Sequence, residues 1–158
     1  MATTTKTKKK VELPPNPFLH EILELASKQR AKAKKVEILQ KYENDALKTI
    51  FIWNFDETVI SVLPSGEVPF KKNEVPVGTD HTSLRREYKH LYNFVKGGND
   101  GLSGLRRETM FIQMLEGLHP EEAEILCLCK DKRLEDKYKI TYDVVKQAFP
   151  DIQWGGRS

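Results

Sequence analysis

The sequence contains only two cysteines among its 158 residues, and it has no long apolar run. Cys127 and Cys129 are separated by one residue, so they cannot form the disulfide framework of a small secreted protein. No stretch approaches the ~18 to 20 apolar residues that a membrane-spanning helix needs. The lysine-rich start MATTTKTKKK is followed by VELPPNPFLH, where a secretory signal would carry its apolar segment. These absences predict a cytoplasmic protein.

The two cysteines and His119 lie close enough in sequence to raise the question of a zinc site. On a helix, residues i and i+2 point about 160° apart around the axis, so Cys127 and Cys129 cannot bind one metal together. Structural zinc sites also need a second pair of ligands, and the sequence has no second cysteine pair. We therefore predict no metal and no cofactor, and we expect both cysteines to pack as small apolar side chains.

The sequence also lacks a complete set of catalytic residues. IFIWNFDETVIS, residues 50–61, resembles the first motif of the haloacid-dehalogenase-type phosphatases, but Asn54 occupies the nucleophile position while Asp56 and Thr58 match. An amide cannot form an aspartyl-phosphate. The glycines of KGGNDGLSGLRRE, residues 96–108, are not followed by Gly-Lys-Ser/Thr, which excludes a P-loop. The histidines have no spacing typical of a ligand or catalytic set. We expect no enzyme, and we expect residues 54–58 to end a helix and turn the chain.

Helical periodicity is what the sequence does contain. Apolar side chains recur at helical spacing in several segments, most regularly over residues 84–95. Ser103, Pro120 and Thr141 are typical of helix starts. We predict an all-α fold, a single domain of about seven short helices over residues 15–152. A disordered basic tail over residues 1–14 and a flexible C-terminus over residues 153–158 are predicted to flank it.

One long irregular loop interrupts the helical pattern. Three prolines and two glycines between residues 58 and 80 leave no room for a useful helix, and loops beyond ~12 to 15 residues are often functional. Aromatic side chains dominate interface energetics, and several lie near this loop. We therefore predict that the proline-rich loop around Pro64–Pro76 contacts another protein. The predicted contact residues are Trp53, Phe55, Pro64, Pro69 and Phe70.

Positive charge is concentrated at the start of the chain. Residues 1–48 contain 11 Lys/Arg and 6 Asp/Glu, a balance of +5, whereas residues 49–158 contain 15 and 17, a balance of −2. Such asymmetry permits an anionic partner. The sequence has no helix-turn-helix, RNP or zinc-finger pattern, so any binding to nucleic acid would be sequence-nonspecific. The predicted nucleic-acid or anion-binding residues are Lys28, Arg30, Lys32, Lys34, Lys35, Arg106 and Arg107.

Several stretches together resemble a known family. They include LPSGEVPFKKNEVPVGTDHTSL, LYNFVKGG and LRRETMFIQMLEGLHPEEAEILCLCKDKRLEDKY. This series resembles small uncharacterised proteins of T4-like tailed phages, including those of cyanobacteria, over roughly residues 18–152. The corresponding motifs are Phe55–Glu57, Leu63–Pro69 and Arg107–Ala123. The family has no assigned activity. The resemblance implies an origin in an infected bacterial cytoplasm, among replication, transcription or assembly factors.

These observations predict a non-enzymatic phage accessory protein that acts by protein–protein binding in the infected host cell. The expected partner is a phage or host protein complex, and the expected location is the host cytoplasm, with association with the virion as an alternative. A sequence-nonspecific nucleic-acid-binding protein is the alternative function, with DNA or RNA bound by the basic N-terminal region.

Overall fold

The structure is a computed structural model, and it describes residues 13–74 and 81–156. These residues form seven α-helices and two 3₁₀ segments, and they contain no β-strand, only two isolated bridges. The all-α prediction is confirmed. The α-helices are α1 (Leu19–Ser27), α2 (Lys32–Lys41), α3 (Asp45–Phe55), α4 (Leu84–Glu87), α5 (Gly104–Gly117), α6 (Pro120–Lys130) and α7 (Tyr142–Ala148). The 3₁₀ segments are η1 (Tyr88–Phe94) and η2 (Leu134–Asp136).

Side-chain caps fix where several helices begin. Asn44 caps α3 by accepting the N–H of Leu47, and Ser103 and Thr141 cap α5 and α7 in the same way. Pro120 is the first residue of α6, where its missing N–H has no consequence. Local sequence therefore determines these starts, and the predicted starts at Ser103, Pro120 and Thr141 are confirmed.

The core includes the interface between α3 and α6, which pack against each other although they are far apart in sequence. The α1 and α2 helices pack together, α2 also contacts α7, and α5 covers α6 from another side. Because α6 is covered by several neighbours, it is apolar around most of its circumference. Its buried side chains include Ala123, Ile125, Leu126 and Cys129, and those of α3 include Leu47, Ile50 and Phe51.

The segment with the most regular helical periodicity, residues 84–95, does not form a continuous α-helix. The α4 helix has only four residues, and the chain then tightens into η1, which ends at Phe94. In a 3₁₀ segment, residues i and i+3 lie on one side, so Leu91 and Phe94 are both buried. Gly98 follows at a point where a Cβ would overlap the carbonyl oxygen of Tyr92. Only glycine allows this close approach.

Packing continues beyond α7. The indole of Trp154 lies edge-on to the Tyr142 ring, with centroids 4.9 Å apart, and the N–H of Gly155 donates to Asp56 at 2.9 Å. These contacts extend past residue 152, where the sequence predicts the start of a flexible C-terminus. The predicted tail over residues 1–14 lies almost entirely outside the described residues. None of the helices in the described ranges is both long and apolar enough to span a membrane.

Candidate functional site

The proline-rich loop is fixed to the end of α6 by a buried lysine. The side chain of Lys130 is 0% exposed, and its Nζ donates to the carbonyls of Pro64 at 2.8 Å and Gly66 at 3.0 Å. It also donates to Asp131 Oδ1 at 2.8 Å, and Asp131 Oδ2 accepts the N–H of Gly66 at 3.1 Å. All three protons of the ammonium group are therefore used inside the fold. This part of the loop is irregular but well anchored.

The far part of the loop is held by two further contacts. The N–H of Lys71 donates to Glu116 Oε2 at 2.9 Å, and the Nε2 of His81 lies 2.9 Å from the carbonyl oxygen of Asn73. Pro76, the predicted end of the contact surface, lies outside the described residues. The loop thus runs beside α6 with contacts at both ends of its described portion.

A groove separates this loop from α6 and η2, with a cavity volume of about 640 Å³. Its apolar side chains are Val68 and Phe70 from the loop and Cys127 and Leu128 from α6, and Pro120 closes one end. Concave sites of roughly 300 to 1,000 Å³ are the usual form of ligand-binding sites in proteins. The charged residues around the groove are Glu67, Lys72, Glu121, Glu124, Asp131, Arg133 and Asp136.

The predicted contact residues lie in four different places. Phe70 lines the groove, while Pro64 and Pro69 line a neighbouring cavity of about 150 Å³. The prediction that Trp53 contacts a partner needs correction. This residue is 3% exposed, and its indole N–H donates to Ser61 Oγ at 2.8 Å. A side chain buried in the core cannot anchor a partner. Phe55 is half-buried and lines a different cavity next to α7.

Two of the predicted anion-binding lysines, both in α2, bond to other groups of the fold. Lys32 pairs with Asp143 of α7, and Lys35 donates to the carbonyl of Lys139. The remaining members of this basic cluster, Lys28, Arg30 and Lys34, are exposed, and Lys34 lies 3.8 Å from the carboxylate of Glu37. The fold also adds a residue that the sequence does not indicate, because the N–H of Lys139 donates to Ser27 Oγ at 2.9 Å. Lys139 therefore lies beside the start of this cluster.

Arg107 is held by three hydrogen bonds within the fold, and its role in anion binding stays a prediction. Its Nε donates to the carbonyl of Asn93 at 3.0 Å, and its Nη2 donates to those of Asn99 at 3.1 Å and Leu102 at 3.0 Å. The guanidinium thus holds the turn that leads into α5. Arg106 is exposed at the start of the same helix.

The cysteines behave as packing residues. Cys129 is fully buried, and its thiol donates to the carbonyl of Ile50 at 3.5 Å. Burial raises the pKa of the Cys127 thiol to about 11, and burial also raises the pKa of Cys129. Both groups are therefore poor nucleophiles and poor metal ligands at neutral pH. Within the described residues, no group of three or more His, Cys, Asp or Glu side chains is arranged to hold a metal ion.

The phosphatase-like motif is the end of α3. Asn54 Oδ1 accepts the N–H of Leu134 at 3.0 Å, and Asp56 Oδ1 accepts both the N–H and the hydroxyl of Thr58, at 2.9 and 2.6 Å. The two bonds of Asp56 form an Asx turn that redirects the chain. The expected turn is confirmed, and no strand precedes it in the described residues.

The structure brings together a cluster of histidines that the sequence does not predict. His119 lies 4.6 Å from His20 and 5.3 Å from His81, measured between ring centroids, and Phe18 packs against the first two. Desolvation by burial lowers the pKa of His20 and of His119. The Nδ1 atoms of His20 and His81 are buried without a hydrogen-bond partner among the described residues. These rings are far apart in sequence, so no local spacing indicates their contact.

Comparison with known proteins gives one match. A family model described as a family of unknown function (DUF6433) matches residues 22–136, which is most of the chain. No curated protein matches the sequence, and no solved structure matches it.

Proposed function

The chain belongs to the DUF6433 family, whose function is unknown, and we propose that it is a non-enzymatic accessory protein that binds another protein. The binding site in this proposal is the groove between the proline-rich loop and α6. The observation that carries it is the cavity of about 640 Å³ with Phe70, Val68 and Leu128 among its lining residues.

The anchoring of the loop supports this proposal. Binding costs less free energy when the binding surface is already ordered, because few rotamers and backbone angles remain to be fixed. Lys130 and Asp131 hold the loop backbone at Pro64 and Gly66, next to the groove. The proline-rich loop held by these bonds therefore offers a partner an ordered binding surface.

The test is affinity purification of the tagged chain, followed by mass spectrometry. Phe70→Glu places a charge among the apolar side chains of the groove, and we expect it to remove the specific partner. Leu105→Glu is the matched control, because Leu105 is 79% exposed at the start of α5 and does not line the groove. A partner that is retained equally by both variants would exclude the groove as its binding site.

The resemblance to phage proteins indicates where the proposed binding takes place. It implies action in the cytoplasm of an infected bacterial cell, so the purification is designed for such cells. Recovery of polymerase, replisome or capsid components would distinguish the replication, transcription and assembly roles. Purified virions, probed for the chain by mass spectrometry, test the alternative location in the particle.

Nucleic-acid binding is the second candidate, and one observation favours it. The backbone of Lys139 bonds to Ser27 and Lys35, so this residue lies beside the basic cluster. Its positive charge enlarges the basic surface. Binding through phosphates would release counterions and fall steeply with salt. A DNA titration at two salt concentrations, with Lys28→Glu/Arg30→Glu as the variant, tests this function. Absence of binding at low salt would eliminate it.

A further inference from the structure

A smaller cavity adjoins the groove between the proline-rich loop and α6. Its volume is about 150 Å³, and Glu67 and Val68 line both spaces. Most of its walls are apolar side chains from the loop and from α5: Leu63, Pro64, Val68, Pro69, Phe111 and Ile112. We call it the side cavity. Apolar cavities of about this volume bind molecules as large as benzene, so an apolar side chain of a partner fits there.

Two carboxylates line the side cavity, and neither has a partner within the described part of the fold. Glu67 comes from the loop and Glu108 from α5, and both residues are exposed. Neither forms a salt bridge or a side-chain hydrogen bond with a described residue. The only cation among the lining residues is Lys130, which is 0% exposed and pairs with Asp131 at 2.8 Å. The side cavity therefore presents uncompensated negative charge to the solvent.

The charges around the larger groove differ, because most of them are paired within the fold. Lys137 Nζ lies 3.1 Å from Glu121 Oε1 and also pairs with Glu124. Arg133 Nε lies 2.6 Å from Asp136 Oδ2. Each of these carboxylates already has a cation beside it, so the free negative charge of this surface lies mainly at the side cavity.

We propose that the partner of the groove presents a basic segment, in which an apolar side chain enters the side cavity and a neighbouring lysine or arginine pairs with Glu67 and Glu108. This inference rests on the proposed function and names the chemical class of its partner. Lys72 lines the groove but not the side cavity, so it places no positive charge at the site of the basic group. The two carboxylates repel phosphates, so this surface does not suit a nucleic acid.

The two parts of such a ligand contribute differently to binding. The apolar side chain supplies most of the affinity, because its burial removes apolar surface from water. The exposed carboxylates add a smaller contribution that salt screens. A basic segment therefore differs from an uncharged one in its salt dependence, in a modest factor of affinity and in a faster association.

The probe for this inference is a displayed library of short random peptides, selected for binding to the immobilised full-length protein. A parallel selection on Phe70→Glu identifies peptides that do not use the groove. The most enriched peptide is then synthesised in three forms: as selected, with every lysine and arginine replaced by glutamine, and with them replaced by glutamate. Fluorescence anisotropy measures the affinity of each form at low and at high salt.

We expect the enriched peptides to carry a lysine or arginine next to a leucine or an aromatic residue. The glutamine form should bind about two- to fivefold more weakly at low salt, and the difference should shrink at high salt. Glu67→Gln/Glu108→Gln should cause a similar loss for the selected peptide and none for its glutamine form. Glu135→Gln, an exposed residue outside both cavities, is the matched control and should change neither.

Two results would overturn the inference and leave the groove as a binding site. One is enrichment of uncharged or acidic peptides whose binding is lost in Phe70→Glu. The other is a basic peptide that binds the Glu67→Gln/Glu108→Gln protein as tightly as the parent chain. Failure to recover any peptide that depends on Phe70 would instead count against the proposed function, and with it against this inference. Circular dichroism establishes that each variant is folded.

Discussion

At the scale of single residues, Lys130 shows how one buried charge organises an irregular loop. A buried ammonium group is costly unless all its protons have partners, and here two carbonyls and one carboxylate supply them. The backbone of the loop needs acceptors and donors too, since no strand or helix provides them. Lysine meets both requirements at once, so the last residue of α6 determines the path of Pro64 and Gly66.

Replacement of this residue gives the first prediction. Lys130→Met retains most of the side-chain volume but removes the three hydrogen bonds of Nζ, so we expect the free energy of unfolding to fall by about 2 kcal/mol. Urea denaturation measures it, and faster amide exchange at Gly66 would locate the effect in the loop. Lys34→Met is the control, because that side chain is 65% exposed. Equal stability of the two variants would contradict the assigned role.

At the scale of elements, one carboxylate joins the starts of two helices. Glu122 of α6 is 0% exposed, and its oxygens accept the N–H of Leu19 at 2.7 Å and that of Leu84 at 2.9 Å. These are the first residues of α1 and α4, whose N–H groups have no partner within their own helices. Burial raises the pKa of Glu122, and the two hydrogen bonds oppose that rise. The contact orients three helices around one group.

The second prediction follows from this shared acceptor. Glu122→Leu leaves two buried N–H groups without acceptors, so we expect it to lower the free energy of unfolding by about 2 to 3 kcal/mol. Glu135→Leu, at an exposed position, should have little effect. Thermal or urea unfolding of both variants is the measurement. A Glu122→Leu protein as stable as the parent chain would show that α1 and α4 do not depend on this carboxylate.

At the scale of the whole molecule, the histidine cluster links stability to pH. It joins the starts of α1 and α6 to the segment before α4, through His20, His119 and His81. Burial lowers the pKa of His20 and His119 below 6.5, although the nearby carboxylates of Glu21 and Glu121 act in the opposite direction. Lys137 adds to the lowering at His20. The folded protein therefore resists protonation of both rings.

The third prediction gives the direction of this dependence. Since the pKa values of His20 and His119 are lower in the folded state, the unfolded chain binds more protons as the pH falls below 6.5, and stability decreases there. The decrease is at most about 1.4 kcal/mol per pH unit for each histidine. Glu122 has the opposite sign, because its raised pKa favours proton uptake by the folded state. Urea unfolding at pH 7 and pH 5 measures the sum of these contributions.

A variant separates the histidines from the carboxylate. His20→Phe keeps a ring in the stack but removes one titrating group, so we expect a smaller loss of stability between pH 7 and pH 5 than in the parent chain. His90→Phe is the control, since His90 is exposed and lies outside the cluster. An identical pH dependence in the parent and in His20→Phe would contradict the assignment.

The sequence by itself determined the helical class, the starts of most helices and the position of the proline-rich loop. It did so because these features depend on neighbours within a few residues: caps such as Asn44 and Ser103, apolar periodicity, and the backbone limits of proline. It also predicted that Asn54 and the cysteines have structural roles, because an amide cannot form an aspartyl-phosphate and helical spacing separates the two thiols.

Only the tertiary structure decided which of the candidate residues reach a surface. Trp53 and Arg107 are attractive as binding residues in the sequence, yet one is buried in the core and the other binds three carbonyls of a turn. The groove and the histidine cluster each combine residues from segments far apart in the chain. Such juxtapositions arise when the helices pack, and local periodicity contains no information about which segments meet.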